Sequence, residues 1–344
     1  GLGDVYKRQL LASLVLGRFF CGWLCPMGVT LDAGDKLIKT RRRKQTPGEI
    51  PDMKYMLLAL LAGAALLGVS LIFLAAPLSL ITRFYGLVIY PALVLLLQWT
   101  TVFSQSLAEA INPDIMLTPG LRLVGFATTG FIVSFYAILF GLGLLAPRFW
   151  CRYVCPSGAI FALVSGKPLF RRRVSDACTE CGLCARACKM GAITGKGRET
   201  RHRECVLCQT CQDVCPVDAI RYSPGKPEMT HPAVPFSTSR RELLLAGTAG
   251  AGTALFSLTG IESPLPERKV GRVVPDRLLR PPGALPEADL FSRCIRCGEC
   301  MAACPTNTLQ PIWFGSGFSG LFSPSVIPGH GPCDPHCNRC AQVC

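Results

Sequence analysis

The chain has 344 residues, half of them hydrophobic, with only 17% charged side chains, a formal net charge of +14 and a mean hydropathy of +0.36. So apolar a composition excludes an ordinary soluble globule and a disordered chain, and it indicates a membrane protein. The basic residues lie beside apolar segments and cysteine runs, where positive-inside anchoring accounts for them, so no nucleic acid is expected as a partner.

Residues 1–9 contain Asp4-Val5-Tyr6-Lys7-Arg8-Gln9, which reads as a translated sequencing-adapter end and is set aside from fold reasoning. The apolar stretch Leu10 to Phe20 is too short to cross a bilayer as it stands. It runs into Arg18-Phe19-Phe20-Cys21-Gly22-Trp23-Leu24-Cys25-Pro26-Met27-Gly28, and the same pattern returns as Arg148-Phe149-Trp150-Cys151-Arg152-Tyr153-Val154-Cys155-Pro156-Ser157-Gly158. Chance explains such agreement poorly, so residues 10–166 read as a membrane domain organised by an internal repeat. Each copy precedes a basic run, Arg41–Lys44 or Arg171–Arg173, so both copies are expected to face the cytoplasm.

Between the copies lie Tyr55 to Ala76, Gly86 to Phe103 and Leu123 to Ala146, each close to the roughly 20 residues a transmembrane helix needs. Three crossings would put the two basic runs on opposite faces. Gly86 to Phe103, which carries Pro91 and Gln98-Trp99, is therefore expected to be interfacial or re-entrant. Arg83, beside it, is either a functional group near membrane depth or a snorkelling anchor. For Cys21, Cys25, Cys151 and Cys155 three readings stay open: an additional four-thiolate metal site, redox-active dithiols favoured as thiolates by Arg18, Arg148 and Arg152, or plain buried packing.

Residues 167–222 hold the runs Cys178/Cys181/Cys184/Cys188 and Cys205/Cys208/Cys211/Cys215, the latter followed by Pro216. C-x2-C-x2-C-x3-C-P is the spacing that wraps a [4Fe–4S] cluster, with the fourth cysteine ligating the neighbouring cluster. One cluster is then expected on Cys178, Cys181, Cys184 and Cys215, and a second on Cys205, Cys208, Cys211 and Cys188. Zinc favours two ligand pairs across a longer spacer, and disulfide frameworks belong to small secreted domains.

Residues 223–236 read as a Pro-rich linker. Residues 237–262 open with Ser239-Arg240-Arg241-Glu242 ahead of a weakly apolar Gly/Ala stretch, which suits a twin-arginine export signal or an ordinary membrane anchor. Either places the C-terminal ferredoxin unit outside the cytoplasm. After a second linker, 263–286, residues 287–344 hold Cys294/Cys297/Cys300/Cys304 and Cys333/Cys337/Cys340/Cys344. By the same crossover a third cluster falls on Cys294, Cys297, Cys300 and Cys344, and a fourth on Cys333, Cys337, Cys340 and Cys304. The chain is expected to be truncated at both ends. The expected fold class is multi-domain: an α-helical transmembrane bundle plus α+β bacterial-type two-cluster ferredoxin domains.

None of the four histidines, His202, His231, His330 and His336, lies in an apolar stretch, so a bis-histidine membrane haem cannot be built. There is no haem-attachment motif, dinucleotide fingerprint or phosphate loop. Electron transfer therefore rests on the clusters.

The paired C-x3-C-P motifs followed by a two-cluster ferredoxin resemble the membrane-bound ferredoxin-type subunit of the NapH type. The twin-arginine segment followed by C-x2-C-x2-C-x3-C-P is similar to exported ferredoxins of the NapG or MauM type, so the chain resembles the two joined. The resemblance implies a quinol dehydrogenase subunit that takes electrons from the quinone pool, with menaquinol as the expected donor, and passes them to a periplasmic reductase or cytochrome c. Lys189 stands where the family has proline, and the last run begins C-x3-C. Two rival functions are a metal-ion reductase or copper-enzyme assembly factor working through the C-x3-C-P thiols, and a structural iron–sulfur anchor.

Overall fold

The computed structural model describes residues 2–37, 53–69, 71–111, 125–165, 168–225, 238–258, 278–313 and 320–344. The basic run Arg41–Lys44 and most of both expected linkers lie outside these residues. The chain divides into two compact units that interleave along the sequence: Gly1–Gly68 with Ala75–Leu78 and Ala137–Ala254, and Val69–Leu74 with Ser79–Tyr136 and Leu255–Cys344.

In the first unit the C-x3-C-P motifs start helices. Pro156 opens the helix Pro156–Val164 at a position where its missing N–H costs nothing, and the Cys155 sulfur caps the end by accepting from Gly158 N at 3.3 Å. Pro26 likewise opens Pro26–Leu37. Tyr55, Ala159 and Ala162 form a small core between the helices Met53–Leu66 and Pro156–Val164, with Leu58 and Leu243 against it. Leu243 belongs to the helix Arg240–Leu258, which lies so close to Met53–Leu66 that a Cβ on Gly63 would collide with Gly247 O, and one on Gly250 with Leu60 O. Such backbone approach is the packing mode of small-residue helices in membranes. The Ser239-Arg240-Arg241-Glu242 segment is a capping box: Glu242 N donates to Ser239 Oγ at 3.2 Å and Ser239 N to Glu242 Oε2 at 2.7 Å.

The first ferredoxin module has two antiparallel ribbons. Phe170–Val174 pairs with Ile220–Pro224, with Arg172 opposite Tyr222, and Ile193–Thr194 pairs with Glu199–Thr200. Cys184, Ile193, Cys211 and Ile220 make its core.

Pro77–Ser104, which belongs to the second unit from Ser79 onward, is continuous helix with a mean hydropathy of 1.9, and among the described residues it is the one helix long and apolar enough to cross a membrane. Gly86 to Phe103, expected to be interfacial or re-entrant, lies wholly within this helix. Pro91 lacks an N–H to donate back to Leu87 O, and the helix absorbs this with a π-helical turn, Tyr85–Ile89, while Thr129 Oγ1 approaches Leu87 O at 3.4 Å. A satisfied proline does not break a helix. Leu96, Leu97, Trp99 and Phe103 on this helix are all more than half exposed, an apolar surface unusual beside water. Met53–Leu66 and Thr129–Leu142 are apolar but shorter.

The second ferredoxin module pairs Leu309–Pro311 with Pro324–Val326 and carries the short helices Glu287–Arg293, Glu299–Ala302 and Arg339–Gln342. Asn307 Nδ2 and Gln310 Nε2 donate to Gly125 O at 2.7 and 3.1 Å, and Gln310 Oε1 accepts from Ala127 N at 3.2 Å. Trp313, Phe322 and Phe131 stack beside this contact.

Candidate iron–sulfur relay

Three cysteine runs share one backbone trick. In each, the residue before the second cysteine and the residue after it are left-handed: Glu180 and Gly182, Leu207 and Gln209, Arg296 and Gly298. Such reversals turn successive N–H groups toward one point, the anion-binding concavity typical of iron–sulfur sites. The run at Cys333, with its longer first gap, shows no left-handed residue from Cys333 to Cys344.

The loops line distinct spaces. Cys178, Cys181, Cys184 and Cys215 line one, and Cys188, Cys205, Cys208 and Cys211 line another. Cys304, Cys333, Cys337 and Cys340 line a third. The thiols of Cys294, Cys297, Cys300 and Cys344 are near enough to interact electrostatically. The fourth cysteine of each run thus lies with the other run of its pair. Among the described residues no three His, Cys, Asp or Glu side chains close on a point as a single metal ion requires. Thiols spread around a larger space suit a cluster better than a zinc ion, whose bonds to sulfur are about 2.3 Å.

Cys21, Cys25, Cys151 and Cys155 also converge, each within electrostatic reach of the others. Burial dominates there: it pushes the Cys25 thiol up to about 11 and Cys155 up to about 12, outweighing the nearby arginines.

The arginines of the repeat have another job. Arg18 Nη2 of the first copy donates to Cys151 O of the second at 3.2 Å, and Arg148 Nη1 of the second donates to Cys21 O of the first at 3.3 Å. Each copy therefore holds the other. The motif glycines make room for this: a Cβ on Gly158 would sit 2.7 Å from Arg18 Nη2, and one on Gly28 would sit 3.0 Å from Cys21 O. Each arginine also has a carboxylate, Glu204 at 2.6 Å for Arg18 and Asp32 at 2.7 Å for Arg148. Lys54 adds a second cation to Glu204 at 2.5 Å, and Lys189, at the position where proline was expected, binds Asp32 at 2.7 Å. Burial alone would raise the Glu204 and Asp32 carboxyls, but these cations hold both below their ordinary values.

Glu204 immediately precedes Cys205, so the ion pair fastens a cysteine loop of the ferredoxin to the repeat. Trp23 Nε1 donates to Leu207 O at 3.0 Å in the same loop, and a Cβ on Gly22 would collide with Val206 O. Two more residues escaped sequence reasoning. Arg172 Nη2 lies 3.4 Å from Cys184 Sγ, and Tyr222 Oη lies 3.0 Å from Cys211 Sγ. Arg172 is hidden inside a basic run that reads as a membrane anchor; the period of two along a strand is the signal that separates it from its neighbours.

Comparison with known proteins agrees with this geometry. A family model described as a 4Fe-4S binding domain matches residues 10–45 and 128–175, the two copies of the repeat. Models described as 4Fe-4S dicluster domains match residues 177–219 and 204–309. YccM of Escherichia coli is 30% identical over 275 residues, covering 77% of this chain and 68% of YccM. The chain belongs to the NapH-like polyferredoxin family. The ferredoxin-type protein NapH of Haemophilus influenzae is 28% identical over 225 residues, 62% of this chain and 65% of NapH. The methylamine utilization ferredoxin-type protein MauM of Methylorubrum extorquens is 35% identical over 113 residues, 33% of this chain and half of MauM. No solved structure matches the polyferredoxin. It is an iron–sulfur protein of electron transfer.

Proposed function

We propose that this polyferredoxin is a membrane-anchored relay that carries electrons from menaquinol through [4Fe–4S] clusters to a periplasmic reductase. The observation that supports this best is the seating of the Cys205–Cys211 loop on the C-x3-C-P repeat by Glu204, Trp23 and Gly22. It joins the membrane-edge thiols to the ferredoxin without an intervening layer. The clusters are assigned to the four cysteine sets named above, and each bound cluster supplies one-electron exchange. Glu204, Arg18 and Lys54 fix the loop, while burial of Cys151, Cys155 and Cys25 keeps water from the thiol site. The apolar surface of Pro77–Ser104 faces lipid, and the close Gly63–Gly247 packing favours Arg240–Leu258 as a retained membrane helix that precedes a periplasmic second module.

The test is to add a menaquinol analogue to anaerobic membranes holding the full-length protein and follow the clusters by electron paramagnetic resonance. Growth of reduced-cluster signals supports the relay. Clusters that stay oxidised with quinol, yet reduce with a low-potential cytoplasmic donor, overturn it in favour of metal reduction or copper-enzyme assembly at Cys21, Cys25, Cys151 and Cys155. Serine at those positions then abolishes activity. Clusters that never change oxidation state during turnover leave the structural-anchor reading.

A further inference from the structure

Inside the first ferredoxin module a single guanidinium stands between the two cysteine sets. Arg172 is only 4% exposed, and its head is fixed by three contacts: Nη1 donates to Thr200 Oγ1 at 2.8 Å, and Nη2 to Gly197 O at 2.8 Å and to Cys184 Sγ at 3.4 Å. Cys184 belongs to the set with Cys178, Cys181 and Cys215. The same arginine lines the space enclosed by Cys188, Cys205, Cys208 and Cys211, and its Nε is buried with no hydrogen-bond partner. A buried N–H left without an acceptor is unfavourable, so its position at the wall of this cysteine-lined space is informative. The residues fit such an occupant. A Cβ on Gly197 would stand 2.8 Å from Cys184 Sγ, so glycine is what lets the strand connection pass beside that sulfur.

Directly across the ribbon, Tyr222 is the register partner of Arg172 and reaches the other set, Oη to Cys211 Sγ at 3.0 Å. A cluster-bound thiolate carries no proton, so the phenol is the donor there. One cross-strand pair therefore serves both sets, with a cation bonded to one and a neutral hydroxyl bonded to the other. Hydrogen bonds to cysteine sulfur and nearby positive charge both favour the reduced, more negative cluster. A buried cation does so more than a phenol, because it adds a charge in a low-dielectric site. Lys196, which lines the Cys178 space, is exposed and its effect is screened by water, while Arg148, within electrostatic reach of Cys208 in the other set, is offset by its ion pair with Asp32 at 2.7 Å.

We infer that Arg172 and Tyr222 set the two clusters of this module at unequal potentials, with Arg172 making the cluster on Cys178, Cys181, Cys184 and Cys215 the preferred resting place of the electron. An electron arriving at the Cys205–Cys211 loop, which sits on the C-x3-C-P repeat, is then drawn outward to the other cluster. The inference rests on the cluster assignment of the proposed function and adds an order to it.

The experiment is an equilibrium redox titration of full-length holoprotein in membranes by electron paramagnetic resonance, comparing wild type with Arg172→Gln, Arg172→Lys and Tyr222→Phe. Iron and acid-labile sulfide are measured for each, and the clusters of the second module serve as internal controls. Tyr222→Phe is expected to move one transition to lower potential and so to identify the Cys211 cluster. Arg172→Gln is expected to lower the reduced fraction of the other cluster at least tenfold at fixed potential, a shift of about 59 mV for one electron, with a smaller shift at the Cys211 cluster. Arg172→Lys, which keeps the charge but loses the fork, is expected to move at least one of the two. Unmoved transitions in Arg172→Gln with full iron and sulfide overturn the inference. If Arg172→Gln loses iron, Arg172→Lys decides, and wild-type transitions there overturn it. Wild-type protein without iron–sulfur signals instead defeats the relay itself.

Discussion

The Cys205–Cys211 loop of the first unit and the Cys294–Cys300 loop of the second both rest on helices, the first through a buried ion triad and the second over an apolar helix face. Glu204 sits between two fully buried cations, Arg18 and Lys54, at 2.6 and 2.5 Å. In the second unit Gly298 lies over Leu87 and the aliphatic part of Arg83, and the module is tied down by the neutral amides of Asn307 and Gln310. Arg83 itself spends its guanidinium on the carbonyls of Ser79, Phe73 and Leu74 and on the face of Phe322 at 5.0 Å. A buried ion triad is sensitive to loss of any member, whereas neutral hydrogen bonds fail singly and cheaply.

The sharpest way to break this contrast is Glu204→Leu. It removes the carboxylate shared by Arg18 and Lys54, and the expected cost is about 3–5 kcal/mol to the first unit, read as a lowered thermal midpoint in detergent. A midpoint equal to wild type would mean that the triad does not hold the loop. Acid probes the same contact more gently. The Glu204 carboxyl is held below its unfolded value, so its stabilisation is fully present at neutral pH and is lost as pH falls through the folded value. Proteolysis of the first unit should therefore accelerate on acidification below the ordinary carboxylate range, and Glu204→Gln should flatten that response. Asp32, bridged by Arg148 and Lys189, contributes with the same sign.

For the second unit, Gln310→Ala removes an amide that both donates to and accepts from the 125–127 segment. A cost of about 1–3 kcal/mol is expected, seen as faster cleavage of the second module with the first unchanged. The smallest effect belongs to the capping box: Ser239→Ala should cost about 1 kcal/mol and raise amide exchange only at the start of the helix Arg240–Leu258. Exchange rising along the whole helix would show that the cap, rather than the Gly63–Gly247 contact, holds it in place.

The cysteine sets could be proposed from sequence because the spacing of ligands along a short loop restricts which sulfurs can share a space, and three of those sets line separate spaces in the structure. The repeat was legible too, but not its purpose. Arg18 meets Cys151 O across 133 positions and Arg148 meets Cys21 O across 127, and no local pattern encodes a partner that distant. Pro91 does not break its helix because a π-turn and a neighbouring hydroxyl satisfy the freed carbonyl, a tertiary remedy absent from the segment's own sequence. Ser239–Glu242 reads as an export or anchor signal; the capping box gives the same four residues a local structural use, independent of any receptor.

The crossed arginines also fix a timetable. Arg18 must wait for Glu204, 186 residues later in the chain, which at about 5–20 residues per second is on the order of 10–40 s of synthesis. Until Cys151 is made, 133 residues after Arg18, that guanidinium has water or lipid headgroups for company and the first C-x3-C-P copy has nothing to close against; Glu204 adds the counter-charge later still. Neither copy can finish alone, so the four membrane-edge thiols gather when the second copy emerges and are covered only when the Cys205–Cys211 loop follows, which leaves an interval of synthesis in which they are together but still open.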